Sequence, residues 1–383
     1  MSLVACSEDD SEPTGTTGPE ILAPPPVGEG VQFSMSHTIA PGVEGEWCKF
    51  VVAPTDDDLW VSHNQTRYTD GSHHFLLYET EYDVIPTEKE DGTVVDTSGV
   101  FDCSDGASNG WRITRVIGGS QNGTGETILA FPEGVALRVR AGAVLLMNAH
   151  YLNATGEPLE PQIRINLWTR PAESITTPGD VLFLYNPFIR VPARGQARAR
   201  YRCPVHTDIT VTTVQSHMHA RGVGYSAQLV GGRPFFETDA WTDVPTGVFE
   251  QGLQVPAGST FDYHCDYDNP EARDVYQGPR TTDEMCMLVG TFYPADENTA
   301  SCLDAEGRFT GEWVGEGTAT CAATLQCLAN LPEGGDVIRA VSDCMLAADP
   351  AVSAEASALL VCFANAENPA TDCTPQINTC AAM

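Results

Sequence analysis

Nine histidines occur in the 383 residues, and five of them fall in three compact groups: His73 and His74 in GSHHFLLYE, His150 in LLMNAHYLN, and His217 and His219 in QSHMHARG. Neutral imidazole is a ligand for zinc and copper alike, so these groups are the first candidates for chemistry. The other four, His37, His63, His206 and His264, stand alone. A lone histidine is more often a surface or hydrogen-bonded side chain than a ligand.

The elements that carry the groups decide what they can do. QSHMHARG ends a run that reads as a β-strand, and side chains alternate across a strand, so His217 and His219 share a face while Met218 points away. The adjacent pair poses the opposite problem, because neighbours on a regular strand face opposite ways. His73 and His74 bind one ion only if the strand bends there, or if one ring uses Nδ1 and the other Nε2. The bland reading of both groups is a polar edge facing solvent.

From about residue 30 the chain reads as short apolar or alternating runs separated by Gly, Pro, Asn and Asp, with 35 glycines and 26 prolines in all. Repeated strands without a helical period between them predict antiparallel β-sandwiches. The expected fold is mainly β, with two sandwich (jelly-roll-like) domains over 30–172 and 173–310 and a seam at RPAESITTPGD. Beyond residue 310, CAATLQCLANL, DVIRAVSDCMLAA and SAEASALLVCFANA place apolar residues three and four apart, which predicts a helical tail over 311–383. The tail holds six cysteines, which either bond among themselves or reach back to the body.

Residues 1–29 read differently. LVAC, Leu3 to Cys6, has the form of a bacterial lipobox with Cys6 as the lipid-bearing residue, and the acidic, Thr- and Pro-rich stretch after it suits a flexible stalk. Thirteen cysteines without a repeated CxxC pair point to an oxidising, extracytoplasmic compartment. Only Lys49 and Lys89 are lysines among 20 basic residues, a bias expected of a GC-rich bacterial genome. A formal net charge of −32 argues against nucleic acid and anionic lipid surfaces as partners.

Four stretches in order, HHFLLYE, NAHYLN, QSHMHARG and TTDEMCMLVGTFYP at 281–294, resemble the copper type II, ascorbate-dependent monooxygenases, the family of dopamine β-hydroxylase and peptidylglycine α-hydroxylating monooxygenase. The resemblance covers about 30–305. It implies that His73, His74 and His150 hold an electron-supplying copper in the first domain. It likewise implies that His217, His219 and Met285 hold the oxygen-binding copper in the second, across a cleft. It further implies disulfides between Cys265 and Cys286 and between Cys203 and Cys302. A thioether among the ligands favours Cu(I) over Zn²⁺, which agrees with that implication.

The activity so implied is hydroxylation of a C–H bond of a small organic substrate by O2, with two copper ions per chain and ascorbate or another one-electron donor. Where the peptide-amidating members grip a substrate carboxylate with Arg, Asn and Tyr, this chain has Gln215, Met287 and Val289. Such a pocket suits an apolar or aromatic molecule and disfavours a carboxylate. The alternative is a non-catalytic copper-binding or electron-transfer surface protein; a zinc hydrolase lacks the glutamate expected beside a histidine pair as general base.

Overall fold

Alternating runs become strands wherever one face can be buried, and here they pair into two stacked-sheet bodies. The computed structural model describes residues 21–106, 109–121, 126–304, 308–332 and 336–383. The expected lipobox at Leu3–Cys6 lies outside them.

In the first sandwich one sheet runs Phe101–Asp102, Glu44–Val52, Val144–Leu152, Ser72–Thr80, Ile113–Ser120. It faces Gly30–Ser36, Gln162–Thr169, Leu59–Tyr68 and Val135–Val139, with Glu126–Ala130 also paired to Leu59–Tyr68. Phe75, Leu77, Leu145, Met147, Ile163 and Leu167 fill the space between, each at most 1% exposed.

In the second sandwich Thr177–Tyr185, Met287–Tyr293, Ile209–His217 and Gly247–Val255 face Phe236–Thr238, Gly222–Leu229, Thr260–Asp268, Gln196–Pro204 and Glu312–Val314. The two bodies share a sheet, because Thr177–Gly179 pairs in parallel with Val135–Leu137. That edge-to-edge join makes one nine-stranded sheet, and it fixes which ends of the two sandwiches meet.

The fold is therefore mainly β, two antiparallel sandwiches followed by a small Cys-rich helical region. The tail's cysteines bond among themselves, as Cys321–Cys380, Cys327–Cys344 and Cys362–Cys373. The tail is not a free module, however. Leu328, Val341, Met345, Val352 and Leu359 share an apolar core with Phe188, Tyr201 and Trp313 of the second sandwich. Gly315 and Gly317 pass so close to the carbonyls of Ala348 and Ala347 that a side chain there would not fit. The seryl hydroxyls of Ser357 and Ser353 accept from the backbone N–H of Trp313 and Gly315.

Cys48–Cys103, Cys203–Cys302 and Cys265–Cys286 complete six disulfides, those of a chain that folds in an oxidising environment. Among the described residues no helix is long and apolar enough to cross a membrane. The expected flexible stalk is corrected at its far end. Leu22 is 7% exposed and its carbonyl accepts from Gln32 Nε2, while Ala23 accepts from Asn166 Nδ2, so this segment docks on the first sandwich.

Candidate metal centre

The first three histidines are assembled by one ladder and one irregularity. Ser72–Thr80 pairs antiparallel with Val144–Leu152, with Ser72 opposite Tyr151 and His74 opposite His150. One residue of the first strand, His73, has no partner, which is a β-bulge. The extra residue re-aims the strand and lets two sequence neighbours reach the same ring. The ring centres of His73 and His74 are 5.5 Å apart, and they lie 5.3 and 4.9 Å from that of His150.

The second group is set by register. His217 pairs with Met287 and Gln215 with Val289, and past the strand end the backbone N–H of His219 reaches the Glu284 carboxylate, next in sequence to Met285. Two contacts hold His219: its backbone N–H donates to Glu284 and its Nδ1 bonds the Asp283 carbonyl at 3.0 Å; Glu284 is itself fixed by accepting from Arg221 N–H. Met285 is half-buried between Glu284 and Cys286; its carbonyl accepts from Tyr267 at 2.7 Å, and the Cys265–Cys286 disulfide braces the next residue. Met218 is 1% exposed in the second core, its sulfur against Gly222.

The groups do not stand apart across a cleft. The ring of His74 lies 5.7 Å from that of His217, and that of His73 lies 6.4 Å from that of His219. These inter-domain separations exceed the longest within a group, 5.5 Å, by less than 1 Å, so all five imidazoles form one cluster. His150, His219, His74 and His217 are 1, 2, 6 and 9% exposed.

Burial disfavours the charged ring, and each imidazole repels a proton on its neighbours. Desolvation chiefly brings His73 and His219 down to about 4, and it drives His74 and His217 well below the usual histidine range. His73, His74, His217 and His219 are thus neutral at pH 7, the state in which an imidazole can bind a metal.

Buried polar atoms almost always find a partner, so exceptions carry information. Three of the exceptions here are His74 Nε2, His150 Nδ1 and His219 Nε2, each buried without a hydrogen bond. Their opposite nitrogens are occupied where the bonds are described: His150 Nε2 faces Glu44 Oε1 at 3.0 Å and His219 Nδ1 faces Asp283 O. A proton on the occupied nitrogen leaves the lone pair on the orphan. Among the described residues no three His, Cys, Asp or Glu side chains are drawn tightly enough to enclose an ion as they stand. The orphaned lone pairs on His74, His150 and His219 nevertheless fit copper in donor type.

The isolated histidines lie elsewhere: His37 packs on Trp47, His63 stacks on Trp168, and His264 sits near Asp266. Three contributors had no sequence signal. Glu44, held down to about 2 chiefly by its bond to His150, Gln121, whose Oε1 is 2.8 Å from His217 Nδ1, and Glu284 are ordinary polar residues until the sheets meet.

The fold and site thus define a two-sandwich protein with a buried histidine cluster where the domains meet. No family model and no curated protein matches the chain. Among solved structures, the major capsid protein P2 of bacteriophage PM2 aligns with 70% of this chain and 100% of its own, at a TM-score of 0.26 and 8% identity. A structure of infectious bursal disease virus, Gx strain, aligns at a TM-score of 0.15 and 10% identity over 69% of this chain and 71% of that one. Likeness at this level carries no argument about the site.

Proposed function

We propose that this chain is a copper-dependent monooxygenase that hydroxylates a C–H bond of a small organic substrate, using O2 and a one-electron reductant such as ascorbate. The observation that supports it best is the set of partnerless, buried imidazole nitrogens on His74, His150 and His219. An unsatisfied buried polar atom is costly, and a metal removes that cost for several at once. His73, His74 and His150 would hold one copper; His217, His219 and Met285 the other. Copper so held supplies the one-electron redox chemistry that activation of O2 requires.

The chain's own residues prepare that centre. Burial keeps His73, His74, His217 and His219 neutral, while Glu44 and the Asp283 carbonyl direct His150 and His219. Gln215 is 4% exposed, its amide donates to Thr246 Oγ1 and accepts from Gln121, and it carries no charge to pair with a substrate carboxylate. With Met287 and Val289 beside it on the ladder, the position suits an apolar or aromatic substrate.

The near-complete burial of four of the five rings also favours a second reading, a protein that holds copper or passes electrons without catalysis. One experiment separates the two. Protein loaded with copper should bind about two equivalents and consume O2 only with ascorbate and substrate from a panel of small aromatic and aliphatic compounds. Copper uptake without O2 consumption across that panel would favour the second reading, and zinc binding that excludes copper would sink both.

A further inference from the structure

Two residues outside the ligand set each touch a cluster histidine and the opposite sandwich. Glu44 Oε1 accepts from His150 Nε2 at 3.0 Å and from the backbone N–H of Thr281, in the second sandwich, at 2.7 Å. Gln121, at the end of the first sandwich's Ile113–Ser120 strand, accepts from His217 Nδ1 at 2.8 Å and donates to Gln215 Oε1 at 3.4 Å. Gln215 donates onward to Thr246 at 2.7 Å, so the hydrogen bonds run in one donor direction from Gln121.

We propose that Glu44 and Gln121 are positioning residues that fix which nitrogen of His150 and of His217 is free to ligate, and that do so only while gripping the opposite sandwich. The proposal rests on the copper reading above and adds to it that the centre is completed by domain docking. A proton held on His150 Nε2 by Glu44 leaves Nδ1 as the donor, and Nδ1 is the atom buried without a partner. A proton held on His217 Nδ1 by Gln121 leaves Nε2 by the same logic. Because one carboxylate oxygen serves both His150 and Thr281, separating the sandwiches loosens the ring as well as the interface.

The test uses the full chain, metal-free, as wild type, Glu44→Ala, Glu44→Gln and Gln121→Ala. Each is titrated with Cu(I) against a competing chelator, with X-ray absorption to count imidazole ligands and amide exchange read at Thr281. Glu44→Ala should weaken one copper equivalent by about 10–100-fold and leave the other unmoved, with faster exchange at Thr281. Gln121→Ala should weaken the other equivalent, and Glu44→Gln, which keeps an acceptor, should restore most of the loss and guards against a folding defect in the alanine variant. Unchanged affinity and ligand count in both alanine variants, with only a lower unfolding temperature, would overturn the proposal and leave the copper reading standing. A wild type that takes up no copper would overturn both.

Discussion

His74 and His217 belong to different sandwiches, yet their ring centres lie 5.7 Å apart, against 5.5 Å for the neighbours His73 and His74. Charging such rings is unfavourable, so the metal-free protein should be acid-sensitive through this cluster. His219 falls from 6.5 to about 4 on folding. Between those values the unfolded chain binds more protons. The stabilisation is therefore complete above pH 6.5 and drains away as pH falls toward 4, by on the order of 3 kcal/mol for this ring. Thermal unfolding of metal-free protein from about pH 7.5 to about 4.5 should show the slope, and His219→Gln should flatten it. Bound copper should be released over the same range.

Met285 and Met218 should behave differently on substitution. Met285→Ala should abolish substrate-dependent O2 uptake while one copper equivalent stays bound. Met218→Ala should leave copper binding intact but cost about 2–4 kcal/mol, because it empties space in the second core. Loss of a copper equivalent on Met218→Ala would refute the ligand assignment.

Cys265 and Cys286 close a short loop that carries Met285 and both carbonyl and carboxylate contacts to His219. Replacing both by alanine should cost about 2–4 kcal/mol in chemical unfolding. It should also weaken the copper equivalent at His217 and His219 more than the one at His150.

Arg115 joins the sandwiches by a buried network, 2.9 Å from Glu79 in the first and 3.2 Å from Asp180 in the second. Burial pushes the Asp180 carboxyl up, and the Arg115 cation pulls against that rise. Arg115→Ala should cost about 3–5 kcal/mol in urea unfolding by stranding a fully buried acid. Arg115→Lys, with one donor point in place of a fork, should recover part of it.

Sequence by itself determined the strand-rich fold and the helical tail, because alternation and helical spacing are local properties that each segment satisfies alone. It also removed Met218 from the site, and the core position of that side chain agrees. Tertiary structure decided the rest. The bulge at His73 exists only once Ser72–Thr80 pairs with Val144–Leu152. The tail's disulfide partners, left open by cysteine count, were chosen by helix packing. The docking of Leu22 and Ala23 needed a sandwich to dock on. Above all, the closeness of the two histidine groups, with Glu44 and Gln121 at their edges, depends on docking of the sandwiches, which are joined edge to edge at Val135–Leu137 and Thr177–Gly179. No periodicity encodes such contacts between residues far apart in the chain, since they arise from register and docking that the burial of many distant apolar side chains sets together.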